Sequence, residues 1–154
     1  MNNVPDWLTQ AAQILLDRYH GNAAELWSDT PSAAELRRRL EEFPGIGQKK
    51  AAMAVEILAR SLGVELKDLS GSDIAYDVHV RRVFLRAGLA QRDDVNHMVA
   101  VARALHPERP GALDPPAWDI GRRWCRPVNP DCLACPLNRA CPRLIDRGRR
   151  VKGI

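Results

Sequence analysis

Phe43-Pro44-Gly45-Ile46-Gly47-Gln48-Lys49-Lys50-Ala51 decides how the rest of the chain is read. A helical pattern runs into it and another runs out of it. Two glycines one residue apart let the backbone turn sharply and come close to a ligand. The second helix opens beside that turn with unpaired N–H groups, which form an anion site. Lys49 and Lys50 sit in its first turn, where the helix dipole disfavours cations. A bound phosphate would offset that cost, so Gly45, Ile46, Gly47 and Lys50 are candidate contacts to a nucleic-acid backbone.

The surrounding pattern is helical throughout and predicts an all-α fold. Helices are expected over residues 7–20, in a short turn at 23–27, from Ser32 to Phe43, and over 48–62, 78–87, 95–105 and about 116–124. Ser32 with Glu35 forms a capping box, and Asp77 and Asp114 are candidate N-caps. The spacing directs Trp7, Leu8, Ala11, Leu15 and Leu16 inward from the first helix, and Leu36, Leu40 and Phe43 from the second. Ala51, Ala52, Val55, Leu58 and Leu62 form the next inward face. Val80, Val83, Phe84 and Ala87 form the one after it, with Arg81, Arg82 and Arg86 expected to face solvent. Arg37, Arg38 and Arg39 read as a solvated face paired with Glu35, Glu41 and Glu42.

With 154 residues and 45% hydrophobic composition the chain can build one core, or a core with a small appendage. It has no apolar run long enough to cross a membrane and no signal-peptide pattern at Met1, so a soluble cytoplasmic, nucleoid-associated protein is expected. The net charge of +4 is unevenly spread. Residues 1–43 hold 4 Lys/Arg against 7 Asp/Glu, and residues 44–120 hold 10 of each. Residues 121–154 hold 9 against 2, which marks either a solvated basic tail or a phosphate-binding end. The expected division is a helical domain over 1–120 followed by a cysteine loop and basic tail over 121–154.

All four cysteines fall in that last segment, as Cys125-x6-Cys132-x2-Cys135-x5-Cys141. A C-x2-C pair with two flanking cysteines suits four thiolates on one metal centre. On spacing alone an iron–sulfur cluster and a structural zinc are about equally supported.

Taken together, Phe43–Ala51, Tyr76-Asp77-Val78-His79-Val80-Arg81-Arg82-Val83 and the cysteine spacing resemble the endonuclease III group of helix-hairpin-helix (HhH-GPD) DNA glycosylases. The resemblance covers about residues 7–142. It implies a partial helical barrel ending in a [4Fe-4S] cluster loop held by Cys125, Cys132, Cys135 and Cys141. It implies base-excision repair on double-stranded DNA bearing a damaged base or an abasic site, by glycosylase and AP-lyase chemistry. Lys49 matches the family's nucleophile and Asp77 its catalytic aspartate. A lysine attacking C1′ must be neutral, so its pKa must fall well below the ordinary ~10.4. The helix N-terminus and Lys50 both act in that direction. Asp77 would stabilise positive charge on the sugar or assist proton transfer. His79 reads as a packing or capping residue with no catalytic role.

The chain also departs from that family. It is shorter ahead of the hairpin and lacks the glutamine-bearing segment that fills the gap left by an extruded base. Leu15, Leu16 and Leu36 are therefore expected to stay partly uncovered until a second copy or a partner chain covers them. Lys49 and Asp77 are further apart in sequence, with the extra residues expected to bulge as a loop within 59–76. Lys50 replaces a small hydroxyl residue, and Arg126 is the only basic residue of the first cysteine loop. A non-catalytic DNA-binding module that has lost its base pocket is the alternative reading. Lys49 argues against a monofunctional adenine-type glycosylase.

Overall fold

The computed structural model describes residues 3–146, so the basic tail beyond Asp146 lies outside the described residues. Six α-helices follow one another: α1 Val4–Tyr19, α2 Ala33–Glu41, α3 Gln48–Ser61, α4 Val78–Arg86, α5 Val95–Leu105 and α6 Asp114–Arg123. Short 3₁₀ turns occupy Ala23–Leu26 and Pro110–Leu113, and no strand occurs among the described residues. The caps follow the sequence. The Ser32 hydroxyl accepts from the Glu35 amide at 3.1 Å, and the Asp77 carboxylate from the His79 amide at 2.7 Å. Asp94, not foreseen as a cap, accepts from the His97 amide at 2.8 Å.

Two hydrophobic clusters result. The first joins α1, α2 and α3 through Tyr19, Leu36, Leu40, Phe43, Ala51 and Val55. The second joins α4, α5 and α6 through Ile74, Val80, Val83, Phe84, Met98 and Ala117. Gly121 lets α6 approach α4 closely, because a Cβ there would sit 2.8 Å from the His79 carbonyl oxygen.

Several expectations change. Arg81, Arg82 and Arg86 do not face solvent: they are only 4%, 5% and 1% exposed. Each has a polar partner that periodicity cannot reveal. Arg81 pairs with Asp93, and the other two reach main-chain carbonyls of the cysteine loop. Ala87 is half-buried and Leu62 exposed. Leu36 is fully buried against α3 and the first cluster, so the expectation of an uncovered Leu36 fails. Leu8 and Leu16 are exposed, Ala11, Ile14 and Leu15 pack against the first cluster, and Trp7 is half-buried beside Gly45. Arg37 and Arg39 pair with Glu41 and Glu35 as expected, but both are half-buried, and Arg39 also grips Asp29 through two 2.7 Å contacts. Glu42 pairs instead with Arg18.

The segment expected to bulge is exposed only in part. Gly71 to Ala75 are buried and run between the two clusters. The Gly111 amide donates to the Ser72 hydroxyl at 3.0 Å, and Arg103 clasps Asp73 at 2.8 and 2.9 Å. Gln48, the first residue of α3, spans the junction: its amide donates to the Ile74 carbonyl at 2.7 Å and accepts from the Tyr76 amide at 3.1 Å.

The hairpin itself is a type II turn. The Ile46 amide donates to the Phe43 carbonyl at 3.0 Å, Pro44 takes the second position and Gly45 the third, at φ +78°. The close approach at Gly45 is to Trp7, whose Cε3 would lie 2.6 Å from a Cβ there. At Gly47, by contrast, a Cβ would meet nothing within 4 Å. Gly45→Ala is therefore expected to lower stability by about 1–3 kcal/mol through left-handed strain and displacement of Trp7. Gly47→Ala should cost well under ~1 kcal/mol. Urea melts of the two variants check this; equal losses would contradict it.

Candidate active site at the junction of the two clusters

Lys49 stands in the first turn of α3 and Asp77 caps α4, so each belongs to a different hydrophobic cluster. Gln48 holds residues 74–76 against α3, which brings the two side chains together. Lys49 Nζ lies 2.5 Å from Asp77 Oδ2, with Lys49 half exposed and Asp77 buried. Burial alone would raise the Asp77 carboxyl. The Lys49 contact, the His79 amide and the Lys49 charge outweigh it and hold the group below the ordinary carboxylate range.

Around the hairpin, Gly47 and the first amides of α3 are open, with no side chain capping the helix. Ile46 is half-buried and packs on the first cluster. Lys50 folds back: Nζ donates to the Gly45 carbonyl at 2.8 Å and lies 5.9 Å from the Trp7 ring centre. Arg126 is exposed and donates to the Asn129 carbonyl at 3.3 Å, away from the Lys49–Asp77 pair. His79 packs edge-on against Trp118 and contacts Arg82 at 3.0 Å, in keeping with a packing role.

Beside Asp77 opens a cavity of about 380 Å³, lined by Met53, Glu56, Ile57, Asp114, Trp118 and Asp119 among others. Met53, Ile57 and Trp118 are exposed apolar members of that lining, and Glu56, Asp77, Asp114 and Asp119 are its acidic members. Asp114 was expected to cap α6. It is instead the first residue of that helix, Leu113 takes the cap position, and no side chain caps the helix. Burial, then the charges of Asp77 and Glu56, push the Asp114 carboxyl up to about 7, against lowering by the Ala75 amide and Lys49. Its Oδ1 is buried with no hydrogen-bond partner. Neither Gln48 nor Asp114 is a site residue that spacing could reveal. The only sequence signal for Asp114 is its place before Pro115, which reads as a cap.

The four cysteines are unpaired and line one enclosed space of about 20 Å³ at the end of α4. Arg82 donates to the Cys125 and Gly121 carbonyls at 2.5 and 2.7 Å. Arg86 donates to the Arg126 and Pro127 carbonyls at 2.7 and 3.1 Å and lies 3.7 Å from Cys125 Sγ. Burial pushes the Cys135 thiol above its ordinary value, and Cys125, Cys141 and Cys132 add to the rise. Four sulfur donors brought to one pocket are a donor set that fits a metal group.

No family model matches the chain. It is 28% identical over 144 residues to Endonuclease III homolog 1, chloroplastic, of Arabidopsis thaliana, covering 88% of this chain and 33% of that protein. It is 27% identical over 143 residues to Endonuclease III of Thermotoga maritima, covering 92% of this chain and 58% of that protein. The fold resembles a trapped endonuclease III–DNA covalent intermediate with a TM-score of 0.67, at 24% identity over 92% of this chain and 58% of the other. It also resembles a non-covalent endonuclease III–DNA complex with a TM-score of 0.68, at 25% identity over 96% and 61%. The all-helical fold is thus that of endonuclease III, and the resemblance read from the motifs holds in sequence and in structure. The chain spans between a third and three fifths of the length of these relatives. No helix among the described residues is long and apolar enough to cross a membrane.

Asp114 also has a thermodynamic consequence. Its folded-state pKa lies above its unfolded value near 3.9, so the folded state binds the extra proton between the two. Its contribution to stability is complete below about pH 4 and is lost as pH rises through about 7. Asp114→Asn removes this loss, so the variant should melt above the parent at pH 8 and close to it at pH 4. Thermal melts across that range check the sign.

Proposed function

We propose that this chain carries the lyase half-site of a base-excision DNA glycosylase of the endonuclease III type. The observation that carries it is the Lys49–Asp77 pair at an open helix N-terminus beside the hairpin. The trapped covalent complex among the structural relatives supports the same chemistry.

Gly45, Ile46 and Gly47 and the first amides of α3 hold a backbone phosphate of duplex DNA, with Lys50 and Arg126 adding charge. Lys50 leaves the Gly45 carbonyl to do so. The apolar side chains of Met53, Ile57 and Trp118 receive an extruded base, and the carboxylates of the same lining offer hydrogen-bond acceptors. Lys49, freed of its proton, attacks C1′ of a damaged nucleotide or an abasic site and forms a Schiff base. The base departs, and β-elimination then expels the 3′ phosphate. Asp77, held ionised, stabilises the positive charge that develops on the sugar.

Cys125, Cys132, Cys135 and Cys141 would hold a [4Fe-4S] cluster. A bound cluster would cross-link the loop that follows α6 and supply charge near the DNA, not redox chemistry on substrate. This chain's own contribution is the arginine scaffold from α4 that orients Cys125.

Borohydride reduction in the presence of abasic-site duplex should trap a covalent adduct with the parent chain and none with Lys49→Ala, whose salt-dependent DNA binding persists. Lys50→Ala should still be trapped, with the slope of log affinity against log salt reduced by about 0.9. No adduct from the parent chain, with DNA binding intact, would assign it to the non-catalytic modules. Iron and sulfide without stoichiometric zinc is the expected metal content.

A further inference from the structure

One half-buried acid beside the site has no part in the steps above. We propose that Asp114 is the general acid of the Lys49 reaction, because it lines the cavity shared with Asp77 and has a carboxyl oxygen that nothing in the fold engages. The inference rests on the Schiff-base reading above and extends it with a second carboxyl in a different role.

Asp77 and Asp114 approach the cavity from the starts of α4 and α6. Asp77 follows Ala75 by two residues, and the Ala75 amide faces the Asp114 carboxyl. The charged groups that act on Asp114 come from every side. Asp77 lies at the cap of α4, Glu56 and Lys49 on α3, and Asp119 on α6 lines the same cavity. Glu56 is itself held at 2.6 Å by Arg109. Two carboxyls in one cavity are thereby driven apart: one stays ionised against a lysine, the other keeps its proton to about neutral pH. A carboxylate paired with a cation is a poor proton donor. A neutral acid with an unengaged oxygen is a good one.

At an abasic site the step balances as follows. The lone pair of neutral Lys49 Nζ forms a bond to the C1′ aldehyde carbon, and after proton transfer from nitrogen to oxygen a carbinolamine results. Asp114 gives its proton to the carbinolamine hydroxyl, the C1′–O bond breaks and water leaves. The nitrogen lone pair closes the iminium, and Asp114 is left as a carboxylate. Solvent entering the open cavity returns its proton before the next turnover. At a damaged nucleotide the same proton would go to the departing base nitrogen as the C1′–N bond breaks.

The test uses an abasic-site duplex, cyanoborohydride and the full chain, with trapping rates measured from pH 6 to pH 9 under single-turnover conditions. The parent-to-Asp114→Asn rate ratio should be about tenfold or more at pH 6 and fall towards one by pH 9, as Asp114 ionises. Rates are normalised to the folded fraction of each protein at each pH, because Asp114→Asn itself changes stability with pH. A constant normalised ratio would overturn the proposal. A ratio near one throughout would overturn it as well. If the parent chain forms no adduct, the Schiff-base reading itself fails and takes the proposal with it. If the parent is trapped, Lys49→Ala is not and Asp114→Asn behaves like the parent, the Asp114 role alone is rejected.

Discussion

Everything at the site depends on the Gln48 amide clamp. The chain forms two apolar clusters, and hydrophobic burial within each says little about how they sit against one another. The link is a buried run from Gly71 to Ala75, in which Ile74 alone brings a large apolar side chain to the core. Its main-chain groups need partners, because a buried unpaired amide or carbonyl costs about 1–3 kcal/mol. Gln48 supplies two of them at once, donating to Ile74 and accepting from Tyr76. Both contacts lie within three residues of Asp77, and Gln48 immediately precedes Lys49. The register of the Lys49–Asp77 pair is therefore fixed by main-chain satisfaction. The ion pair alone, half exposed at its lysine end, would contribute little positioning energy.

Helix α4 connects that site to the cysteines. Its N-terminus is capped by Asp77, and its last turns carry Arg82 and Arg86 into the irregular loop after α6. That loop has no helical ladder to satisfy its carbonyls. Long guanidinium groups, each with several donors in a fixed plane, can reach carbonyls that are separated in sequence. The burial of these arginines is costly unless every donor is used, so they act as a strict template for the loop path. The result is a nine-residue helix that orders a polar site at one end and a thiol cluster at the other.

Much of this was legible from the sequence, and the exceptions share a cause. The α5 boundaries, the Ser32 and Asp77 caps, the Gly45 turn and the buried faces of α2 and α3 follow from local chemistry and periodicity. The α4 arginines were misplaced because a charged residue at a helical position reads as solvent-facing unless its distant partners are known. Asp114 looked like a cap because Asp before proline satisfies that pattern, yet its carboxyl turns towards Ala75 and Glu56. The bulge expected within 59–76 followed from the long separation of Lys49 and Asp77, which says nothing of how the extra residues pack. The burial of Gly71 to Ala75 depends on Gln48, Arg103 and Gly111, which come from three different elements.

Under the proposed function, the same geometry reconciles an acidic cavity with a polyanionic partner. Asp77, Asp114 and Glu56 line the cavity, whereas the uncapped N-terminus of α3 and its two lysines form an exposed edge. Phosphates are attracted to that edge and disfavoured by the cavity, which leaves the cavity to neutral or cationic groups. An extruded base is neutral, and a sugar losing it develops positive charge at C1′, so the carboxylates oppose the ground-state phosphate while favouring the reacting carbon. Lys49 stands between the two regions and belongs to both. Its ammonium suits the phosphate edge, and its approach to Asp77 turns the nitrogen towards the cavity. A charge boundary running through one side chain accounts for placing the reagent directly after the glycine turn: the turn locates the backbone, and the residue that follows reaches past it to the sugar.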